Sequence, residues 1–441
     1  MRCAGGGRQL SDSAGGDRRH GKRREIMRNP NGGVVIVGAG QAGVSCAFKL
    51  RALGYAGEIT IAGGEPHLPY HRPPLSKKYL NGDGDAARLL IKSRDLYESE
   101  RIRLRVDCPV VAIHREEKHV ELADGGVLGY DHLILATGAR PRCLPVVHGA
   151  RAPKVHLFRT LADAEALRES LVRDRHLLVV GGGFIGLETA AVARNLGMRV
   201  TVIERDQRIL SRVACAETAA YFRALHEANG VRMHEGVALT RLEQGENGMI
   251  AARLSNGVSI EPDVVVAGIG VVPETGLAGQ AHLLVDNGIV VDGSGRTIDP
   301  FIYAAGDCAR FPYRGQRVRL ESVQNAVDMA EAVARAIVGE SVEYRPVPWF
   351  WSDQYSTRLQ IAGLNLGYTH VAVRKAQGAA RSVWYYEGPR LLAVDAINDT
   401  KAFMSAKRWL EAGCSPVAHE IENPNVALAD VSLSGQSALI N

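Results

Sequence analysis

Two copies of one glycine pattern stand 143 residues apart in this chain, Gly38-Ala39-Gly40-Gln41-Ala42-Gly43 and Gly181-Gly182-Gly183-Phe184-Ile185-Gly186. Each follows a short apolar run, Val34-Val35-Ile36-Val37 or Leu177-Leu178-Val179-Val180, and each opens a stretch rich in Ala and Leu. Strand, turn and helix in that order are the context in which such a pattern carries meaning. The first glycine allows a tight turn, the second lets the backbone approach a pyrophosphate, and the third lets helix pack on strand. The helix N-terminus then offers unpaired N–H groups to the phosphates. Glycine-rich turns are common in α/β proteins, but two in this context predict two dinucleotides held by one polypeptide. That is the layout of a chain that passes electrons from one to the other.

Alternation of strands and helices between 34 and about 137 predicts a parallel sheet: strand 34–37, helix 41–53, strand 58–62. Candidate strands at 109–113, 118–122 and 127–129 follow, the last two separated by the turn Asp124-Gly125-Gly126. Pro69-Tyr70-His71-Arg72-Pro73-Pro74-Leu75-Ser76-Lys77 reads as a rigid loop, because prolines this dense suit neither helix nor strand. A second unit repeats the plan with strand 176–180, helix 184–196, strand 199–204 and a closing strand at 263–269. Residues from about 270 to 345 read as a return to the first unit, through Ile302-Tyr303-Ala304-Ala305-Gly306-Asp307. From 347 onward β-alternating segments at 357–363, 369–374 and 381–397 precede a helix near 399–412, predicting a separate α+β domain. The expected division is a tail at 1–26, a discontinuous first domain at 27–139 and 268–346, a second at 140–267, and a C-terminal interface domain at 347–441.

The formal charge of +5 resides mostly in residues 1–26, where seven Arg or Lys face three acids. The remainder is close to neutral, which argues against a nucleic-acid footprint. The tail has no hydrophobic pattern and is expected to be disordered; Arg18-Arg19 is not followed by the apolar stretch of a twin-arginine signal, and Met27 is an alternative start. No apolar run approaches the roughly 18 residues of a membrane span, so the expectation is a soluble protein without a membrane partner. Seven scattered cysteines without a C-x-x-C pair predict neither a disulfide framework nor a metal site, and fit a reducing, cytoplasmic setting. The helix after the first glycine pattern carries Cys46 alone, which excludes a dithiol relay there.

In a dinucleotide fold an acid at the end of the second strand takes the adenosine ribose hydroxyls. Glu204 ends strand 199–204, where a carboxylate favours NADH over a 2′-phosphorylated cofactor; the alternatives are a solvated strand end, or a phosphate accommodated by Arg205. In the first unit the chain runs Gly63-Gly64-Glu65, so Glu65 is the candidate ribose acceptor. Lys77 reads by default as an exposed lysine, although the double proline before it gives its position a reason to be fixed. Trp349 and Trp351 read as core residues before cofactor partners. Arg310, Arg314, Arg317 and Arg319 fall within ten residues with no acid among them, either a solvated face or a docking face for an acidic protein.

The segments VVIVGAGQAG, HLPYHRPPLSK, LILATGARPR, VVGGGFIGLE, YAAGDCARF, LESVQNA and PWFWSDQY together resemble the FAD-dependent ferredoxin reductases that serve bacterial oxygenases. The resemblance spans about residues 33–415 and implies a glutathione-reductase-like α/β fold, two Rossmann-like dinucleotide-binding domains plus a C-terminal α+β domain. It implies FAD and NADH as cofactors and a 2Fe–2S ferredoxin as partner, feeding a cytochrome P-450 or a Rieske oxygenase. By the same resemblance Gly38, Gly40, Ala42, Gly43, Val110, Arg159, Asp307 and Val323 contact FAD, and Gly181, Gly183, Ile185, Gly186 and Glu204 contact NADH. Lys77 is implied beside the flavin, paired with Glu188. Gly64 departs from the family pattern, which has an acid there. A rubredoxin reductase or NADH oxidase would share every cofactor segment, and a binding flavoprotein resembling apoptosis-inducing factor would share the fold.

Overall fold

The computed structural model describes residues 33–145, 155–244, 248–375, 378 and 380–434; the basic segment 1–26 lies outside them. Gly33–Val37 leads into helix Gln41–Ala52 and strand Glu58–Ala62, and His176–Val180 leads into helix Phe184–Asn195 and strand Arg199–Glu204. Each trio forms the centre of a five-stranded parallel sheet. The first runs Ile302–Ala304, His132–Leu135, Gly33–Val37, Glu58–Ala62, Ile102–Arg105. The second runs Arg232–Glu235, Arg199–Glu204, His176–Val180, Val264–Ala267, Val155–His156. Every residue of Gly33–Val37 is buried, as a strand covered on both faces requires. The registers repeat too: Val34 lies between Ile59 and His132, Leu177 between Val200 and Val264.

The two sheets differ in their fifth strand. The second takes Val155–His156 from just upstream of its centre, whereas the first takes Ile302–Ala304 from beyond the whole second unit. The chain therefore crosses between the units twice, and the two crossings pair antiparallel as Ala139–Pro141 with Val271–Pro273. The Thr137 hydroxyl donates to the Glu274 carbonyl at 2.6 Å beside them.

The rigid loop expected at 69–77 is only partly a loop. Leu75–Tyr79 forms a helical turn, and Pro73 and Pro74 immediately precede it. Proline costs nothing where a helix starts, since the first N–H groups have no intrahelical acceptor. The closing strand expected at 263–269 is shorter, Val264–Ala267, because Gly268 turns against the helix: a Cβ there would lie 3.2 Å from the Gly186 Cα. Ile102–Arg105 gave no strand signal; its arginines ride an edge strand where apolar alternation is not required.

The C-terminal unit is an antiparallel sheet in the order Trp349–Gln354, Thr357–Gly363, Arg390–Ile397, Arg381–Glu387, His370–Lys375. Segment 381–397 is thus a hairpin rather than one strand. Helix Thr400–Glu411, capped by the Asp399 carboxylate accepting from Ala402 N at 3.0 Å, packs on the sheet through Phe403, Ala406 and Trp409. Trp384 and Trp409 meet with ring centroids 5.6 Å apart. Trp349 packs against this core, as expected, with its ring 6.3 Å from that of Phe403.

A polar cluster joins this sheet to the second parallel unit. Thr218 Oγ1 donates to Asp395 Oδ2 at 2.7 Å, Tyr385 donates to the same oxygen, and Cys215 N donates to the Tyr385 hydroxyl at 3.0 Å. Asp395 is 1% exposed and its Oδ1 has no partner. Burial pushes the Asp395 carboxyl up to about 6 although both hydrogen bonds act the other way. A carboxyl raised in the folded state binds its proton there more tightly than in the unfolded chain, so stability falls as pH rises from about 4 to about 6. Asp395→Asn should remove that fall, worth about 3 kcal/mol. Thermal unfolding of both proteins across this pH range checks it, and parallel profiles would exclude the assignment.

Candidate active site

The glycines of both patterns divide into two kinds. Gly38 and Gly181 have φ of +115° and +109°, and a Cβ on either would lie 2.2 or 2.5 Å from the carbonyl of Ala136 or Gly268. Gly43 and Gly186 would place a Cβ 2.1 and 2.2 Å from the carbonyls of Gly38 and Gly181. Packing alone fixes these four. The middle glycines differ: a Cβ on Gly40 meets nothing within 4 Å, and on Gly183 only one carbonyl at 3.9 Å. Each is the N-cap of its helix, with no side-chain cap and no acid in the first turn. Open space in front of unpaired N–H groups at a helix start is what a pyrophosphate requires. Both cradles fit a dinucleotide. Ala42 is buried in the first turn against Gly306, and Ile185 is exposed beside the second cradle.

Glu204 stands at the mouth of the second cradle, its Oε2 accepting from Gly182 N at 2.7 Å and its Oε1 from Asp206 N at 2.8 Å. Arg205 is 81% exposed and turns to Asp206 at 3.6 Å. By register the first-unit counterpart of Glu204 is Gly63, and a Cβ there would lie 2.5 Å from that of Ala39. The second unit has Gly182 where the first has Ala39, so one holds a glycine–acid pair and the other an alanine–glycine pair. Glu65, expected as ribose acceptor, takes two donors from the Pro-rich segment. Its Oε2 accepts from Tyr70 and its Oε1 from Arg72. Burial opposes its ionisation, but Arg72 and the Tyr70 hydroxyl outweigh burial and hold the carboxyl below its ordinary range.

Arg72 continues the cluster by donating to the Arg159 carbonyl at 2.9 Å, and Arg159 Nη2 lies 2.8 Å from Asp307 Oδ2. Arg159 and Asp307, 148 positions apart, therefore meet beside Gly138 and Gly306. Val110 begins the strand Val110–His114 and is buried, and Val323 is the first residue of helix Val323–Ile337, capped by Ser322. Cys46 is buried and burial pushes its thiol far up, so it is not a thiolate at neutral pH.

Lys77 and Glu188 meet across the two units, Nζ to Oε2 at 2.8 Å. Lys77 comes from the helical turn after the double proline, Glu188 from the helix of the second cradle. Glu188 is 4% exposed along its side chain and takes two further donors: Ser76 Oγ to Oε2 at 2.6 Å and Ser352 Oγ to Oε1 at 2.7 Å. Ser352 belongs to the C-terminal sheet, and the chain of donors continues behind it. Gln354 Nε2 donates to Ser352 Oγ at 3.2 Å, His226 Nε2 meets Gln354 Oε1 at 2.8 Å, and the Tyr355 hydroxyl meets His226 Nδ1 at 3.2 Å. Because the Gln354 amide donates to Ser352, its oxygen must accept from His226 Nε2–H, which leaves Nδ1 to accept from Tyr355. Burial lowers the His226 imidazole, consistent with this neutral tautomer. Every hydrogen in the series points toward Glu188. Ser352, Gln354 and His226 were missed from the sequence; the polar Ser-Asp-Gln inside an otherwise aromatic PWFWSDQY segment was the available signal.

By register Arg310 and Arg317 share the outward face of one hairpin, Ala309–Tyr313 with Gln316–Val318, Arg314 lies in its turn and Arg319 follows it. Arg310 pairs with Asp286, and Arg319, with 9% of its side chain exposed, reaches Glu321 at 2.6 Å and the Asp307 carbonyl at 3.1 Å. Asp286, distant in sequence, and the neighbouring Glu321 each take one of the four, and Arg314 and Arg317 are exposed.

Residues 32–330 match the family model described as pyridine nucleotide-disulphide oxidoreductase, and residues 349–432 match the one described as reductase C-terminal. The chain belongs to the pyridine nucleotide-disulphide oxidoreductase family. FAD and NAD(H) are the cofactors of this family. Rhodocoxin reductase of Rhodococcus erythropolis is 45% identical over 86% of this chain and 89% of its own length. Putidaredoxin reductase of Pseudomonas putida is 42% identical over 93% and 99%. The solved covalent complex of putidaredoxin reductase with putidaredoxin matches with a TM-score of 0.87 and 40% identity, covering 91% of this chain and 98% of that one. A water-forming NADH oxidase of Lactobacillus brevis shares the fold, with a TM-score of 0.79 at 21% identity.

Lys77→Met should leave Glu188 as a buried charge without its counter-ion and cost about 3 kcal/mol. Lys77→Met combined with Glu188→Gln should recover most of that, since neither charge remains. Thermal unfolding of the two variants tests the pair, and equal stabilities would show that the two charges are not coupled.

Proposed function

We propose that this chain transfers electrons from NADH through FAD to a 2Fe–2S ferredoxin that supplies a cytochrome P-450 or Rieske oxygenase. The first unit would hold FAD, and the chemistry it would supply is the conversion of a two-electron donor into single electrons. The Lys77–Glu188 pair carries the reading, because it joins the loop of one dinucleotide fold to the cradle helix of the other, where two cofactors that exchange a hydride must meet. The relatives support it: rhodocoxin reductase, putidaredoxin reductase and the ferredoxin–NAD(+) reductase component of an anthranilate dioxygenase system.

In this reading residues 27–139 and 268–346 hold FAD, 140–267 hold NADH, and 347–441 form the interface domain. Gly38, Gly40, Ala42 and Gly43 surround the FAD pyrophosphate, while Arg159 and Asp307 bind along the chain joining it to the ring. Val110 and Val323 line the apolar walls. Glu65 anchors the Arg72 loop and is the acceptor for the FAD ribose. Gly181, Gly183, Ile185 and Gly186 surround the NADH pyrophosphate, with Glu204 on its ribose. Lys77 supplies the positive charge at the ring edge, and Glu188 with its donors fixes where that charge sits. Arg314 and Arg317 are the exposed cations for an acidic ferredoxin. The setting is the cytoplasm; among the described residues no helix is long and apolar enough to cross a membrane.

Anaerobic titration with NADH should bleach the visible flavin band near stoichiometry, with NADPH much weaker; a flavin that neither nucleotide reduces would sink the reading. Glu204→Ala should weaken NADH binding about tenfold, the worth of one good hydrogen-bonded contact, while leaving FAD bound. An unchanged NADH affinity would remove Glu204 from the site.

A further inference from the structure

Strand Val110–His114 pairs antiparallel with His119–Leu122, with residues 115–118 as the turn. His114 and His119 are the last register pair before that turn. Alternation along a strand puts Glu121 on the same face as His119. Two imidazoles and a carboxylate thus share one face, and one potential ligand atom from each lies within 4.8 Å of the others. The rings stack with centroids 4.4 Å apart at 19°. His114 Nε2 and His119 Nδ1 are both buried atoms without a hydrogen-bond partner. A buried polar atom left unpaired costs about 1–3 kcal/mol, and here two lie side by side.

The surroundings favour a cation. Both cations of the turn are drawn away: Lys118 Nζ lies 3.2 Å from the Phe301 ring centroid, and Arg115 pairs with Asp299 at 2.8 Å. His114 Nε2 stands 3.5 Å from Glu121 Oε1 without a hydrogen bond between them. That is close to the roughly 3.3–3.5 Å edge of a tetrahedron whose metal–ligand bonds are about 2.0–2.2 Å.

We propose that His114, His119 and Glu121 form a binding site for a first-row divalent cation of the zinc type, with water completing a four-coordinate shell. The bound ion clamps the turn end of a hairpin whose other end begins at Val110. It joins two strands that the sequence links through the exposed turn residues Glu116 and Glu117. None of the three ligands belongs to either dinucleotide cradle, so occupancy is independent of the electron-transfer reading.

The test is calorimetric titration of chelator-treated, flavin-loaded full-length protein with ZnCl2, beside His114→Gln, His119→Gln and the double variant. A single micromolar site is expected, weakened at least about tenfold in each single variant and lost in the double. Zinc should raise the unfolding temperature of the parent protein and not that of the double variant. An unchanged flavin spectrum certifies that the variants are folded. Equal zinc affinity in the double variant would overturn the proposal, because thiols such as the exposed Cys143 would then be the ligands. Binding only at millimolar zinc would overturn it equally. With Cu2+ as probe, electron paramagnetic resonance should show coupling to two imidazole nitrogens, and a spectrum without nitrogen coupling would exclude this ligand set.

Discussion

A carboxylate buried as deeply as Glu188 needs charge and hydrogen bonds in place of the water it has lost, and these come from two other parts of the chain. Ser76 and Lys77 reach it from the Pro-rich segment of the first unit, and Ser352 from the C-terminal sheet. None of the three units can shift without breaking a contact to that one side chain. The geometry of hydride transfer is demanding, since a displacement of about 1 Å can cost about a hundredfold in rate. A hydrogen-bonded ion pair at the junction is suited to this task, because the hydrogen bond holds only while donor and acceptor keep their distance and angle.

The C-terminal domain gains a definite role from the same contact. It supplies no dinucleotide cradle, yet it contributes Ser352 to the Lys77–Glu188 pair and docks on the second unit through Asp395, Tyr385 and Thr218. Its aromatic strand also brings Phe350 to Phe184, the first residue of the second cradle helix, with centroids 4.8 Å apart. A domain that reads from sequence as an appendage therefore braces both the reacting pair and the helix that receives the second pyrophosphate.

Much of this was legible because glycine and continuous apolar runs are unambiguous. Gly38 and Gly181 need a positive φ, Gly43 and Gly186 need contact with a carbonyl, and strands 58–62, 176–180 and 199–204 fall where the buried runs put them. Long-range polar pairing was not legible. Glu65 looked free because Arg72 and Tyr70 lie in a loop whose path the sequence does not specify, and Arg310 looked uncompensated because Asp286 approaches it only in three dimensions. His226 showed nothing in sequence; a histidine on a helix gains a role only when Gln354 and Tyr355 close on it from another domain.

The order of strands in the first sheet has a bearing on how the protein is made. Its edge strand Ile302–Ala304 leaves the ribosome only after all of the second unit has done so. The second sheet draws every strand from one uninterrupted stretch and can close during synthesis, while the first remains an open four-stranded platform with the backbone of His132–Leu135 unpaired along one side. Domains generally fold as units in the order in which they emerge. Between these two units the order is inverted: the one whose synthesis begins first is completed after the second, and Asp307, just past the late strand, reaches Arg159 only at that point.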